Sequence, residues 1–292
     1  MNIITFDTEE WYIEKMYHGA REEKYRSFNL ILDNLLELLS NKGFIATFFC
    51  VGRLADEFPS VIKKIDASGH EIGCHSDTHQ WLNKMTDVEV YQDTHNAIDK
   101  LEQLIGKKVI SYRAPAFSIG SNNKQVLEIL AECGIKRDAS IFPAARDFGG
   151  FAEFTSEEPT LITIGNKQIK EFPITTTTIF GKRLAYSGGG YFRLFPYSFI
   201  KNRMSQAEYT MTYFHINDLL STSRKFQTRK EYERYYREKG TLINRGKRYL
   251  KTIVGTNTAY PKLQKLLQEN SFVNLVEADN AIDWTNAPHI TL

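Results

Sequence analysis

The sequence predicts an α/β protein built on a parallel sheet. Three observations carry this reading: short apolar runs alternate with amphipathic stretches of helical period, glycines stand where such helices would stop, and polar clusters follow successive apolar runs. In α/β folds the carboxyl edge of the strands is where ligands bind, so the clusters are the places to look for chemistry.

Asn2 to Phe6 reads as a buried strand that ends at Asp7-Thr8-Glu9-Glu10. From Ser27 to Asn41, residues Phe28, Ile31, Leu32, Leu35, Leu38 and Leu39 share one helical face, and Gly43 is the stop. Phe44 to Val51 is a second strand, Ser60 to Ala67 a short helix stopped near Gly69, and His70 to Cys74 a third strand leading into His75-Ser76-Asp77-Thr78-His79. Thr86-Asp87-Val88-Glu89 has capping-box spacing and opens a helix carrying Tyr91, Ile98, Leu101 and Ile105. A strand near Val109 to Tyr112 leads into Arg113-Ala114-Pro115, and a helix from Asn122 to Cys133 stops at Gly134. From Ala144 to about Phe199 the pattern loosens into long loops or added strands. Met211 to Phe214 is a strand ending at His215, Tyr260 to Glu269 a helix, and Phe272 to Val276 a last strand. With no internal repeat or low-complexity linker, one domain over 1–292 is expected, with a loop-rich insertion about 144–205 and a basic segment 223–251.

Composition narrows the function. Hydrophobic residues make up 42% and charged residues 25% of 292, which is ordinary for a globular chain. Lys plus Arg total 37 and Asp plus Glu 35, a net +2, so overall charge gives no reason to expect nucleic acid as a partner. Three cysteines make no complete disulfide framework and suit buried thiols in a reducing compartment. The first residues lack a basic region, and no apolar run approaches membrane-spanning length. Neither a secretory signal nor a transmembrane helix is expected, and the expected address is the cytoplasm.

Taken alone, Asp-x-Glu at a strand end is most simply a solvated or helix-capping pair. His75 and His79 share a face in a helix, and on a tight turn they also converge on one ion. Neutral imidazole suits Zn²⁺, Ni²⁺, Co²⁺ or Fe²⁺, and two histidines with one carboxylate leave positions for water and substrate. The plain alternative is a pair of surface histidines.

The ordered set is more specific than its pieces. Asp7-Thr8-Glu9, His75 to His79, Arg113-Ala114-Pro115-Ala116-Phe117 and Tyr213-Phe214-His215 together resemble the polysaccharide deacetylase (NodB-homology) family, carbohydrate esterase family 4. The texts around Phe6 to Trp11, Tyr112 to Ser118, Asp138 to Pro143 and Gly188 to Phe192 are similar to a glycan-biosynthetic subgroup. The resemblance implies a distorted (β/α) barrel, parallel strands with surrounding helices, and a site at the strand carboxyl ends. It also implies a catalytic base at Asp7, a base-orienting arginine at Arg113, a general acid at His215 and metal-binding histidines at His75 and His79. The commonest family text has two adjacent aspartates, the second a metal ligand; here Thr8 stands in that place. Glu9 is then the expected carboxylate ligand, because period-two strand geometry points it the same way as Asp7, and Glu10 is the fallback.

The implied reaction removes an N-acetyl group from an amino sugar in a glycan or glycan precursor, with one divalent ion, Zn²⁺ first, and a backbone N–H near Ala116 at the oxyanion. Two alternatives stand beside it: hydrolysis of a small cyclic amide or ureide, and an inactive glycan- or carrier-binding module. Trp11, Tyr191 and Arg193 are candidate sugar contacts, and Trp81 a candidate platform. Asp138 is read as a structural loop aspartate. The basic segment has 11 Lys or Arg against 3 Glu. It is either a solvated helix face or a contact for an anionic lipid-linked or nucleotide-linked carrier, or for an anionic membrane surface.

Overall fold

The computed structural model describes residues 1–9, 21–146, 149–219, 226–236 and 238–292. The strands, in chain order, begin with β1 (Asn2–Ile3), β2 (Thr5–Thr8), β3 (Thr47–Cys50), β4 (Glu71–Cys74), β5 (Ser111–Tyr112) and β6 (Arg137–Asp138). They continue with β7 (Thr160–Ile164), β8 (Lys167–Glu171), β9 (Thr176–Ile179), β10 (Lys182–Ala185), β11 (Thr210–Met211), β12 (Phe214–His215) and β13 (His289–Thr291). Nine of them form one sheet in the order β12-β2-β3-β4-β5-β6-β8-β7-β13, parallel throughout except for β7 against β8. β1 and β11 pair in parallel just before β2 and β12, and β9 and β10 form a separate antiparallel hairpin.

The sheet curls until the chain around β11, beside its β12 edge, meets the segment that follows β8. Tyr209 Oη donates to the Pro173 carbonyl at 2.9 Å, and the Met211 backbone N–H donates to Thr175 Oγ1 at 2.7 Å. The fold is therefore a distorted (β/α) barrel, as the sequence predicted.

Alternation along the strands sorts the core into two layers. Phe6, Phe48 and Phe214 face outward, with ring centroids 4.9 Å (Phe6–Phe48) and 5.8 Å (Phe6–Phe214) apart. They pack with the buried faces of α1 (Arg21–Lys42) and α4 (Asp87–Ile105). Their neighbours Asp7 and Phe49 turn to the other side, where a second apolar cluster includes Phe117, Phe142, Phe172 and Met211. The capping box at α4 forms as read: Thr86 Oγ1 accepts from the Glu89 N–H, and Glu89 Oε2 accepts from the Thr86 N–H.

Several expectations need correction. β2 runs on to Thr8, and α1 starts at Arg21, earlier than Ser27. A short α2 (Gly52–Glu57) precedes α3 (Pro59–Ala67), and α5 is confined to Val126–Glu132 behind a 3₁₀ turn at Ser121–Asn123. Segment 144–205 holds four strands and two helices, α6 (Gly189–Leu194) and α7 (Tyr197–Gln206). The basic segment forms α8 (Arg229–Tyr236) and α9 (Leu242–Ile253), and α10 (Thr256–Glu269) begins before Tyr260. The strand expected at Phe272 to Val276 is absent. Val273 makes one bridge with Ile3, and α11 (Leu275–Ala281) follows, because Asn274 and Glu277 make a second capping box. Among the described residues, no helix is long and apolar enough to cross a membrane.

At the amino edge of the barrel, a buried polar network ties early strands to late ones. Glu71 accepts from Thr47 Oγ1 (2.6 Å), Ser111 Oγ (2.5 Å) and Arg137 Nη2 (3.1 Å), while Arg137 Nη1 also reaches Asp279 at 3.2 Å. Glu71→Ala leaves Arg137 with Asp279 alone, and losing a hydrogen bond to a charged group costs about 1.5–3 kcal/mol. Urea unfolding of the variant should show a loss of that size.

Candidate active site

Asp7 sits on β2 directly across from His215 on β12, in ladder register. Arg113, fully buried just after β5, donates from Nη1 to Asp7 Oδ1 at 2.8 Å and to Thr5 Oγ1 at 2.7 Å, and from Nε to the Ala139 carbonyl at 3.1 Å. Its guanidinium lies 4.3 Å from the Phe49 ring centroid. A buried guanidinium with so many fixed partners has one orientation, and Asp7 inherits it.

Glu9, one residue past β2, reaches the two histidines. Its Oε2 touches His79 Nε2 directly and lies 3.3 Å from His75 Nε2, while Oε1 is 3.4 Å from His215 Nε2. Burial by itself would raise the Glu9 carboxyl, but the charges of His79 and His215 and hydrogen bonds from His75 and His79 hold it well below the usual range. One donor atom from each of Glu9, His75 and His79 falls within 4.8 Å of the others. Glu10 and Trp11 lie outside the described residues.

The histidines converge by a turn. Ser76 and His79 adopt positive φ (62° and 56°), and the turn is pinned by Asp93 of α4, which accepts from the backbone N–H of Asp77 (2.8 Å) and Thr78 (3.1 Å). His75 Nδ1 lies 2.7 Å from the Arg113 carbonyl, which sets the ring with Nε2 toward Glu9. Two imidazoles and a buried carboxylate converging on one point are the donor set a divalent ion such as Zn²⁺ takes, with coordination positions left over. The residues fit the ion.

His215 is held from the other side. Its Nδ1 is 2.9 Å from Asp218 Oδ2, its Nε2 is 3.9 Å from Asp7 Oδ2, and Asp218 Oδ1 in turn meets Arg193 Nη1 at 3.2 Å. Burial alone would lower the imidazole, but Glu9, Asp218 and Asp7 outweigh it and the pKa is pushed up to about 10. Asp218 escaped the sequence reading. Its signal was the i, i+3 spacing from His215 on the 3₁₀ turn Ile216–Leu219.

These groups open into a cavity of about 520 Å³ that Trp81, Ala116, Tyr191, Arg193, Tyr213 and Tyr236 also line. Ala116 and Phe117 sit at φ 55° and 54°, and Gly149 abuts their carbonyls so closely that a Cβ there would come within 2.3 Å of the Phe117 oxygen. Gly188 meets Tyr213 as tightly, 2.1 Å from its carbonyl for an added Cβ, so the glycine run lets that loop close on the strand bearing His215. Arg193 lines the cavity as a buried residue whose Nη1 is held by Asp218. Asp138 touches neither Asp7 nor the histidines. It accepts from Ser140 Oγ, which accepts from the Ala114 N–H, and burial raises both it and the adjacent Glu171.

An α/β barrel with a carboxylate, two histidines and an opposed Asp–His pair at the carboxyl edge of its strands defines a class of proteins with a candidate metal site, and comparison with known proteins narrows it. Residues 3–137 match the family "Polysaccharide deacetylase", and residues 139–279 match "Domain of unknown function (DUF3473)". The chitooligosaccharide deacetylase of Azorhizobium caulinodans is 32% identical over 101 residues, which is 34% of this chain and 47% of that protein. The uncharacterized protein YlxY of Bacillus subtilis is 34% identical over 126 residues, 41% of this chain and 39% of that one. These matches span less than half the length of either relative. A Mycobacterium smegmatis protein classed with the polysaccharide deacetylases has a crystal structure that superposes with TM-score 0.65 at 17% identity, covering 100% of this chain and 92% of that one. Residues 3–137, a little under half of the chain, thus belong to the polysaccharide deacetylase (NodB-homology) family, and the superposition shows that the whole chain shares the fold.

Proposed function

We propose that this protein is a metal-dependent hydrolase that removes the acetyl group from an N-acetylated amino sugar of a glycan or glycan precursor. The observation that carries the proposal is the placement of Asp7 and His215 on paired strands beside the Glu9–His75–His79 cluster. Glu9, His75 and His79 would hold one divalent ion, Zn²⁺ by preference, with Ni²⁺, Co²⁺ or Fe²⁺ as other choices for such donors. When bound, the ion polarises a carbonyl and brings the acidity of water from about 15.7 toward 7.

The chain's own residues do the rest. Asp7, fixed by Arg113, takes the proton from the attacking water. The backbone N–H near Ala116 donates to the oxygen that gains charge as the carbonyl carbon becomes tetrahedral. His215 gives its proton to the sugar nitrogen as the C–N bond breaks, which releases acetate and a free amine. Trp81 and Tyr191 wall the cavity where the sugar ring would lie, and Arg193 serves as a positioning residue through Asp218. None of the three cysteines is joined in a disulfide, in keeping with the cytoplasmic address that belongs to this proposal.

Acetate release from N-acetylated saccharides by protein loaded with each of the four metals tests the reading. Failure on every saccharide with every metal would overturn it. The pH profile tests the acid. His215 works protonated, so turnover falls as pH rises through its pKa. Asp218→Asn removes one of the charges that raise that pKa and should move the alkaline limb to lower pH by about 1–3 units, leaving the acid limb in place. An alkaline limb that stays put would deny Asp218 its part.

A further inference from the structure

The amphipathic helix of the basic segment is mounted the wrong way round for a soluble protein. In α9, Leu242, Ile243, Leu250 and Ile253 share one flank, and Arg245 and Arg248 the other. The arginine flank faces the protein. The Arg248 guanidinium lies 4.4 Å from the Tyr236 ring centroid and 5.7 Å from that of Trp81. Arg245 lies 5.2 Å from the Phe226 centroid and donates to the Gln227 carbonyl at 3.0 Å. Most of the apolar flank is left outside: Leu242 and Ile243 are each 69% exposed and Leu250 56%, Ile253 is half-buried, and Val254 just past the helix is 43% exposed. Leu250 and Val254 also line the mouth of the active-site cavity, together with Leu194 of α6, which is 58% exposed. A continuous apolar strip thus runs from the lip of the site outward along the helix, and strips of this kind mark a partner.

We propose that α9 is a membrane-docking helix that seats the protein on an anionic lipid bilayer with the cavity mouth toward the lipid surface. Charge selects this occupant. Lys239 and Lys247 are exposed before and within α9, and a cytoplasmic leaflet is negatively charged. Shape agrees. A 12-residue helix flank about 18 Å long is convex, offering no groove for a single chain, whereas a bilayer interface accepts such a flank along its whole length. The consequence for substrate rests on the deacetylase reading. A site whose rim is pressed to a bilayer draws on amino sugars attached to lipid in preference to free ones.

Flotation with vesicles of phosphatidylcholine alone and of phosphatidylcholine rich in phosphatidylglycerol reads docking without any turnover, so it stands or falls apart from the activity. Wild-type protein should float with the anionic vesicles and stay behind with the neutral ones. The double variant Leu242→Ser/Ile243→Ser lies away from the cavity. It should bind anionic vesicles at least about tenfold more weakly, with unchanged circular dichroism, melting temperature and hydrolysis of a soluble acetyl ester. Lys247→Glu should weaken binding to the anionic vesicles as well. The proposal is overturned if wild type binds neither vesicle or both equally, or if the double variant binds like wild type. A wild-type dimer in sedimentation that the double variant dissolves would overturn it too, by giving the strip to a second copy.

Discussion

His79→Ala should strip the purified protein of its divalent metal and abolish acetate release, with affinity weakened by at least about 100-fold. Loss of a residue that only supports a ligand already costs about 10–100-fold, and in the proposed site His79 would offer its own nitrogen to the ion. The fold should survive, because the turn around His79 is held by Asp93 and by backbone hydrogen bonds from Gly52 to Ser76 and from Arg53 to Asp77, none of which uses the imidazole. Metal analysis and titration calorimetry measure the loss. His75→Ala and Glu9→Gln should behave alike, and Glu10→Gln should stay within a few-fold of wild type. Unchanged stoichiometry in all three cluster variants would leave the site without its ion.

Asp7→Asn should do the opposite to metal and the same to rate: full occupancy, with turnover down by about 10²–10⁴-fold. An asparagine oxygen still accepts from Arg113 Nη1, so the 2.8 Å contact and the surrounding packing have no reason to change. What disappears is a group able to take the proton from water. Single-turnover rates on metal-saturated protein separate this from weaker substrate binding. Near-normal turnover in the variant would require another base, and the nearby Glu9 carboxylate would be the first to examine.

Local chemistry made much of the fold legible. Thr86 and Glu89 announce α4 because both halves of the capping box lie within four residues, and Gly43 and Gly134 end helices at positive φ where a Cβ is costly. The same signal at Asn274 and Glu277 was overlooked beneath the apolar run from Phe272 to Val276, which a strand and a helix start display equally. The cluster of Glu9, His75 and His79 and the opposed Asp7 and His215 were readable as a set of motifs in order, but their convergence depends on strand register. The inward Arg245 and Arg248 were not readable, since each acts through a tertiary contact that charge and spacing do not encode, whereas the i, i+3 spacing of Asp218 from His215 gains meaning only once the 3₁₀ turn is in place.

The ladder contact between Asp7 and His215 also sets when the site can exist. Synthesis delivers β2 and its neighbours early, yet the strand that completes their flank arrives only with residue 215 of 292. Until then β2 presents an open edge, and Asp7 and His215 are joined by a long, slow-closing loop. The growing chain therefore passes through a stage in which Asp7, Glu9, His75 and His79 are present without His215, and its unpaired edge is the surface a chaperone would have to shield.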